Sequence, residues 1–277
     1  MSISIDQAFI KQFEREVHEA FQRQGSKLRS TVRSVSNVNG ASTVFQRVGT
    51  GTASTKSTHG LVPVMNIDHS NIEVVLEDYY AGDWIDRLDE LKINIDERQV
   101  IANAGANALG RKTDELIIEA LESATDHTIA DANVGLTKDK ILEAFETFGQ
   151  ADVPDDGQRY CVVGWKQWSD LLAIDEFVNA DYVGAENLPL TGITQAKMFL
   201  GAIFIPHSGL PVDDNDIRSC FYYHKTAIGH ASASDVVTDI TWHGDRAAHF
   251  VNNMMSQGAG LIDQAGVIKI LCDETPD

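Results

Sequence analysis

Several things are scarce in this sequence, and each scarcity excludes a class of protein. Three cysteines, Cys161, Cys220 and Cys272, lie far apart with no CxxC pair. That excludes a disulfide framework or a zinc ribbon, which need close spacing, and leaves them as small buried residues. No apolar run approaches the ~20 residues that span a bilayer. Met1 to Gln12 is mixed and polar, without the charged-then-apolar layout of a signal peptide. A chain made and used in a cytosol, with no membrane, is expected. Cations are also few, Lys+Arg 22 against Asp+Glu 41, for a net charge of −19. So acidic a chain is not a grip for nucleic acid, whose phosphates are held by basic patches. HExxH, GxSxG and GxxxxGK[ST] are all absent.

The weaker chemical signals have plainer readings. Gly49-Thr50-Gly51 has no strong strand before it and no helix after it, so it is not a phosphate loop. Asp213-Asp214-Asn215-Asp216 opens like a calcium loop but lacks the later glycine and glutamate, and reads as an acidic turn. His243 and His249, or His224 and His230, are six apart and share no helix face. Trp165 and Trp168 at helical spacing read as core. Six cations, Lys11, Arg15, Arg23, Lys27, Arg29 and Arg33, gather in the first 33 residues. A solvated helix face is preferred there over a basic arm meeting an acidic neighbour or polymer. Neither a cofactor nor a metal site is expected.

What is present is a 43% hydrophobic chain of 277 residues, enough to bury a sizeable core. Phe9, Phe13, Val17 and Phe21 predict an amphipathic helix over 6–24, which must bury its stripe on something, including another chain. Residues 30–71 turn rich in Ser, Thr, Gly and Asn. Asn39-Gly40 suggests a hairpin between Thr31-Val32-Val35 and Thr43-Val44-Phe45, with a polar tip at 49–60 and strand character resuming over 63–68 and 72–76. Such a ribbon is barely stable alone. Tyr79, Tyr80, Trp84, Ile85, Leu88 and Leu91 have short helical spacing over 79–95. A long helix follows to about Ala124, its start marked by Asn94 and Glu97. Gly105 and Gly110 weaken it and allow close packing. Thr137 begins a helix capped by Gly149. Arg159–Gly164, Met198–Pro206, Ser219–His224, Asp235–Trp242 and Gly266–Leu271 read as strands, and Trp165–Ala173 and Glu176–Ala180 as short helices. Residues 245–257 fit helix or strand.

The order of these elements resembles the major capsid proteins of tailed bacteriophages with the Hong Kong 97-type fold. ALGRKTDELIIEAL, within 95–124, and AAHFVNNMMSQGAGLIDQAGVIKI, 247–270, carry the closest local likeness. The resemblance implies an α+β fold with an N-terminal arm (1–30) and an extended β-ribbon loop (31–77). A peripheral domain (78–136) would hold the spine helix 95–124. An axial α/β domain (137–224) and peripheral return strands (225–277) would follow, which favours strand for 245–257. It implies no catalysis. It implies self-assembly into pentamers and hexamers of an icosahedral shell around double-stranded DNA, with a separate scaffolding protein, a portal protein and a cement protein as partners. The scaffold is expected to be separate because the first helix starts within a few residues of Met1. Contacts between subunits would run through Phe9, Phe13, Val17, Phe21, Val44, Phe45 and Lys56. Some family members cross-link a loop lysine to a neighbour's asparagine, which here would use Lys56 with Asn252 or Asn253. Three readings stay beside it: an encapsulin-type compartment of the same fold, a soluble acidic enzyme with a dispersed His/Asp site, and a minor virion or adaptor protein.

Overall fold

The computed structural model describes residues 25–90, 97–178 and 197–275. The helix expected over 6–24, with Phe9, Phe13, Val17 and Phe21, lies outside the described residues, as do Leu91 and the helix-start residue Asn94. In chain order the elements are β1 (Arg33–Val35), β2 (Ser42–Val48), β3 (His69–Val75), β4 (Glu77–Asp86), α1 (Arg87–Glu90), α2 (Glu97–Glu122), β5 (Thr128–Ile129) and α3 (Lys138–Gln150). They continue with β6 (Arg159–Val163), α4 (Trp165–Leu172), α5 (Asp175–Val178), β7 (Lys197–Phe199), β8 (Ala202–Pro206) and β9 (Ile217–His224). β10 (Ile228–Ser232), β11 (Val237–His243), β12 (Ala248–Leu261) and β13 (Val267–Asp273) are the last strands among the described residues. It folds as two compact units. One takes Tyr79–Arg111 and Val236–Met255; the other takes Ser26–Asp78, Lys112–Asp235 and the residues from Ser256 onward.

In the first unit, β11 runs antiparallel to β12 from Val237↔Met254 to His243↔Ala248, and β4 also pairs with β12. Ile85, Leu109 and Val251 are buried here. Asn253, fully buried, accepts a hydrogen bond from Thr238 Oγ1 (2.6 Å) and donates to the Ala81 carbonyl (3.3 Å). A Cβ on Gly105 would lie 2.9 Å from Asn253 Cγ and 3.1 Å from the Ala81 oxygen. The glycine that lowers the helix propensity of α2 is therefore what lets the helix approach.

The second unit is built on a six-stranded sheet in the order β5-β13-β9-β6-β8-β7. β6 reads YCVV because nearly all of it is buried in the middle of that sheet. Thr137 caps α3 by accepting from the Lys140 amide. The Ile141, Ala144 and Phe148 side chains of α3 and the Trp168 and Leu171 side chains of α4 join Cys161, Phe204, Phe221, Tyr222 and Ile268 in one core. Beside it, β1 runs parallel to β10, and β10 runs antiparallel to the later part of β12. Lys140 is almost fully buried. Its ammonium donates to four carbonyls, of Asp131 (2.7 Å), Val134 (2.9 Å), Gly135 (3.0 Å) and Leu271 (2.9 Å), tying a loop and β13 to the first turn of α3.

Several sequence expectations are corrected. Residues 77–86 form a strand, with only Arg87–Glu90 helical after it. Tyr79, Ala81 and Ile85 turn inward while Tyr80, Gly82 and Trp84 stay exposed, and that period of two prevails over the helical spacing of the aromatics. Asn39-Gly40 does not turn a hairpin. β1 pairs with β10, and β2 pairs with β3 across twenty intervening residues, 49–68. Asn37 (φ 60°) and Gly40 (φ 136°) instead swing the chain between two sheets. No strand covers 63–68. Residues 198–206 are two strands, broken at Leu200 (φ 48°) and Gly201 (φ 74°). The strand favoured for 245–257 is present as 248–261, while α3 runs one residue past Gly149.

Candidate assembly interface

The β2–β3 ribbon pairs seven residues on each side, from Ser42↔Val75 to Val48↔His69. Alternation gives it two faces. Phe45, Ile72 and Val74 point one way, and Phe45 and Val74 are buried with Ala231 and Ile262. Val44, Val48 and Val75 point the other way and are exposed. Beyond Val48 the Gly49 amide donates to the Asp68 carbonyl (2.7 Å) and closes the ribbon. The tip then displays Leu61 (96% exposed), Val62 (74%), Val64 (83%) and Met65 (50%). Apolar side chains this bare and this close together form the kind of exposed patch that marks an interaction surface. Sequence reasoning missed all four, because 49–60 read as a polar tip and 63–68 as a strand.

Of the residues expected at contacts, Val44 and Lys56 are on the exposed surface of this ribbon. Phe45 is 2% exposed. Its ring lies under the Arg33 guanidinium (5.4 Å) and against β10, so its side chain is covered by its own chain. Arg47 pairs with Asp263 at 3.0 Å. Among the expected basic residues, Arg29 pairs with Asp235 at 2.6 Å, and Lys27 is exposed. Asn253, doubly hydrogen-bonded and buried, has no accessible amide for a cross-link.

A second exposed surface lies in the first unit. β11 pairs on one side only among the described strands, and Val237, Ile240 and Trp242 are exposed along it. At the β11–β12 turn, Arg246 stacks over Trp84 (4.4 Å) and Arg87 over Trp242 (5.7 Å). His243 and His249 make ring contacts with Trp84 and Trp242 rather than forming a shared ligand set.

Among the described residues, the most buried acid–base pair is not arranged as a nucleophilic centre. Asp114 and His207 are both fully buried and meet at 3.0 Å. Asp114 also accepts from Ser26 Oγ (2.6 Å) and from the Lys27 and Leu28 amides. The Gly209 amide donates to His207 Nδ1, so Nε2 carries the proton toward Asp114. Serine and histidine thus both address the carboxylate and not each other, the wrong order for a nucleophilic triad. Burial pushes the Asp114 carboxyl up, but hydrogen bonds from His207, Ser26 and the two amides outweigh it and hold it below its ordinary range. A carboxylate held low stabilises the fold above the unfolded value near 3.8, and that stability is lost as pH falls through the folded value. Asp114→Asn is expected to cost about 2–3 kcal/mol at neutral pH, a penalty that shrinks below pH ~4. Urea midpoints from pH 7 to pH 3 measure this, and a penalty that stays constant with pH contradicts it.

Cys161, Cys220 and Cys272 are free and buried. Burial pushes the Cys161 thiol well up, and a hydrogen bond with Cys272 together with burial does the same for Cys220. Neither is poised as a thiolate. Trp168 is core and Trp165 is exposed. Among the described residues no group of His, Cys, Asp and Glu is arranged to hold a metal ion. No helix there is long and apolar enough to cross a membrane.

A family model described as phage capsid protein matches residues 5–274. No curated protein sequence matches the chain. Among solved structures, the chain is similar to the capsid of cyanophage P-SCSP1u, with 18% identity and a TM-score of 0.76 over 99% of this chain and 96% of that one. It is similar to the capsid of a native GTA particle, with 13% identity and a TM-score of 0.74 over 99% of both chains. It is also similar to the capsid of Ralstonia phage GP4, with 13% identity and a TM-score of 0.71 over the whole of both chains.

Proposed function

Because this chain belongs to the phage capsid protein family, with the α+β Hong Kong 97-type fold of its structural neighbours, we propose that it is the major capsid protein of a tailed phage, assembling as pentamers and hexamers of an icosahedral shell around double-stranded DNA. It is a structural protein of the virion and not an enzyme. The observation that carries the finer reading is the β2–β3 ribbon, whose tip exposes Leu61, Val62, Val64 and Met65. A two-stranded ribbon is marginal alone, and such a tip gains its stability by burial on an adjacent copy. Repeated around symmetry axes, that contact closes a shell.

In this reading 1–30 is an arm, 31–77 the extended loop, 78–136 a peripheral domain with its spine helix, 137–224 an axial domain and 225–277 the return strands. Val44 and Lys56 lie on the contact surface together with the tip. The net charge of −19 suits a container wall that repels packaged DNA rather than gripping it. A scaffolding protein, a portal protein and a cement protein are the partners, and assembly takes place in the host cytoplasm.

Electron microscopy of the full chain coexpressed with the scaffolding protein tests this. Closed isometric particles of uniform diameter are expected. Soluble monomer at micromolar concentration overturns the reading. Native particles that hold a protein cargo and no DNA replace it with a compartment shell.

A further inference from the structure

β10 and the later part of β12 are neighbours in one sheet, and in their register Gly229 faces Gly260 while Ala231 faces Gly258. Residues two apart on a strand share a face, so these four make a nearly bare square. Glycine in a strand interior costs roughly 0.5–1 kcal/mol relative to alanine. None of the three glycines has a positive φ, so the backbone does not demand them. Space does. A Cβ on Gly229 would lie 2.7 Å from Phe45 Cε2, and one on Gly260 would lie 2.8 Å from Val74 Cγ2. A Cβ on Gly258 would collide with the Val75 carbonyl oxygen, a backbone atom that cannot swing aside. The root of the ribbon rests on this square, flanked by Arg33 over Phe45 and by the Arg47–Asp263 pair.

We propose that Gly229, Gly258 and Gly260 are positioning residues for assembly: their bare floor sets the height and angle at which the β2–β3 ribbon leaves its own unit, and so where its tip meets a neighbour. Sheets usually stack about 10 Å apart, and a floor without side chains lets the ribbon sit lower. The leverage is large. From Ser42 to Val48 the strand rises about 20 Å, so a ten-degree tilt at its base moves Val48 by about 3 Å, and the tip by more. The consequence for the shell rests on the function proposed above; the ribbon angle does not.

The test measures both. Spin labels at Lys56→Cys on the tip and Glu146→Cys on α3 report the ribbon angle in the full chain, the native cysteines being buried. Gly258→Ala and Gly260→Ala are expected to stay folded by circular dichroism, to shift the label distance by about 3 Å or more, and to give particles of altered diameter or open sheets. Should Gly258→Ala not fold, Gly229→Ala decides: it shifts the distance, and adding Phe45→Leu, which removes the clashing ring atoms, restores it. Unchanged distances in Gly260→Ala and Gly229→Ala, with particles of wild-type diameter and yield, overturn the proposal and leave the shell reading intact. Shifted distances in a chain whose wild type forms no particles sink the shell reading and leave the floor's role standing.

Discussion

Replacing residues 50–67 with an Asn-Gly turn is expected to leave a folded subunit that no longer forms particles. The excised segment contributes no residue to either buried hydrophobic cluster. The seven-pair register of β2 and β3 lies entirely outside it, and Asn-Gly is the turn that such a ribbon accepts. Subunit stability should therefore change by no more than about 0.5 kcal/mol. Assembly loses Leu61, Val62, Val64 and Met65, which are 50–96% exposed in the chain alone. Full burial of one such side chain contributes about 1.5–3 kcal/mol. Even if only half of that is realised across the four, at least ~3 kcal/mol per contact disappears, more than a hundredfold in each association constant. Sedimentation velocity and light scattering under assembly conditions follow this. Wild-type particles from the excised chain would show that the tip is not where neighbours meet.

Lys140→Met is expected to cost about 4 kcal/mol, the largest single-residue effect in the second unit. Methionine fills the same volume but leaves the carbonyls of Asp131, Val134, Gly135 and Leu271 without their shared donor. A buried acceptor left unsatisfied costs ~1–3 kcal/mol, and relaxation of the loop recovers part of the sum. In a chain of this size that lowers Tm by roughly 10 °C. Lys140→Arg should recover little, because a planar fork does not match carbonyls that converge on a point. The control is two residues away. Lys138 pairs with Glu176 on the surface, and Lys138→Met should change stability by less than ~1 kcal/mol. Urea unfolding of the three variants makes the comparison. Equal midpoints for the two methionine variants would mean that the ammonium is not holding the loop.

Local signals were legible where the chain is locally consistent. The long α2 helix, Thr137 at the head of α3 and the buried β6 run were all readable, because propensity, capping and burial agree there. The family was readable from the order of elements. The 77–86 strand was not, because its aromatics mimic helical spacing and only the pairing with β12 selects period two. The β2 partner was not, because a local Asn-Gly competes with a mate twenty residues further on, and loop length alone does not choose between them.

The candidate interface divides the same way. That residues 30–71 are Ser/Thr/Gly-rich, with Lys56 on a polar tip, was legible from composition, but that Val44 is exposed came only from the pairing of β2 with β3. That Phe45 faces inward followed only from register, since a one-residue shift exchanges the two faces of a strand. The exposed tip residues became visible only once 63–68 proved not to be a strand.

By itself the sequence determined the kind of molecule: an acidic, cysteine-poor chain without catalytic or membrane signatures, with a long helix, a polar ribbon and a capsid-like order of elements. Composition and short-range periodicity carry that much, because they act between residues close in the chain. Only the tertiary structure decided which strands pair, which ribbon face is spent internally, and why Gly229, Gly258 and Gly260 are bare. Each of those is a contact between segments far apart in sequence, and what a residue must fit is set by the neighbour it meets rather than by the residues beside it.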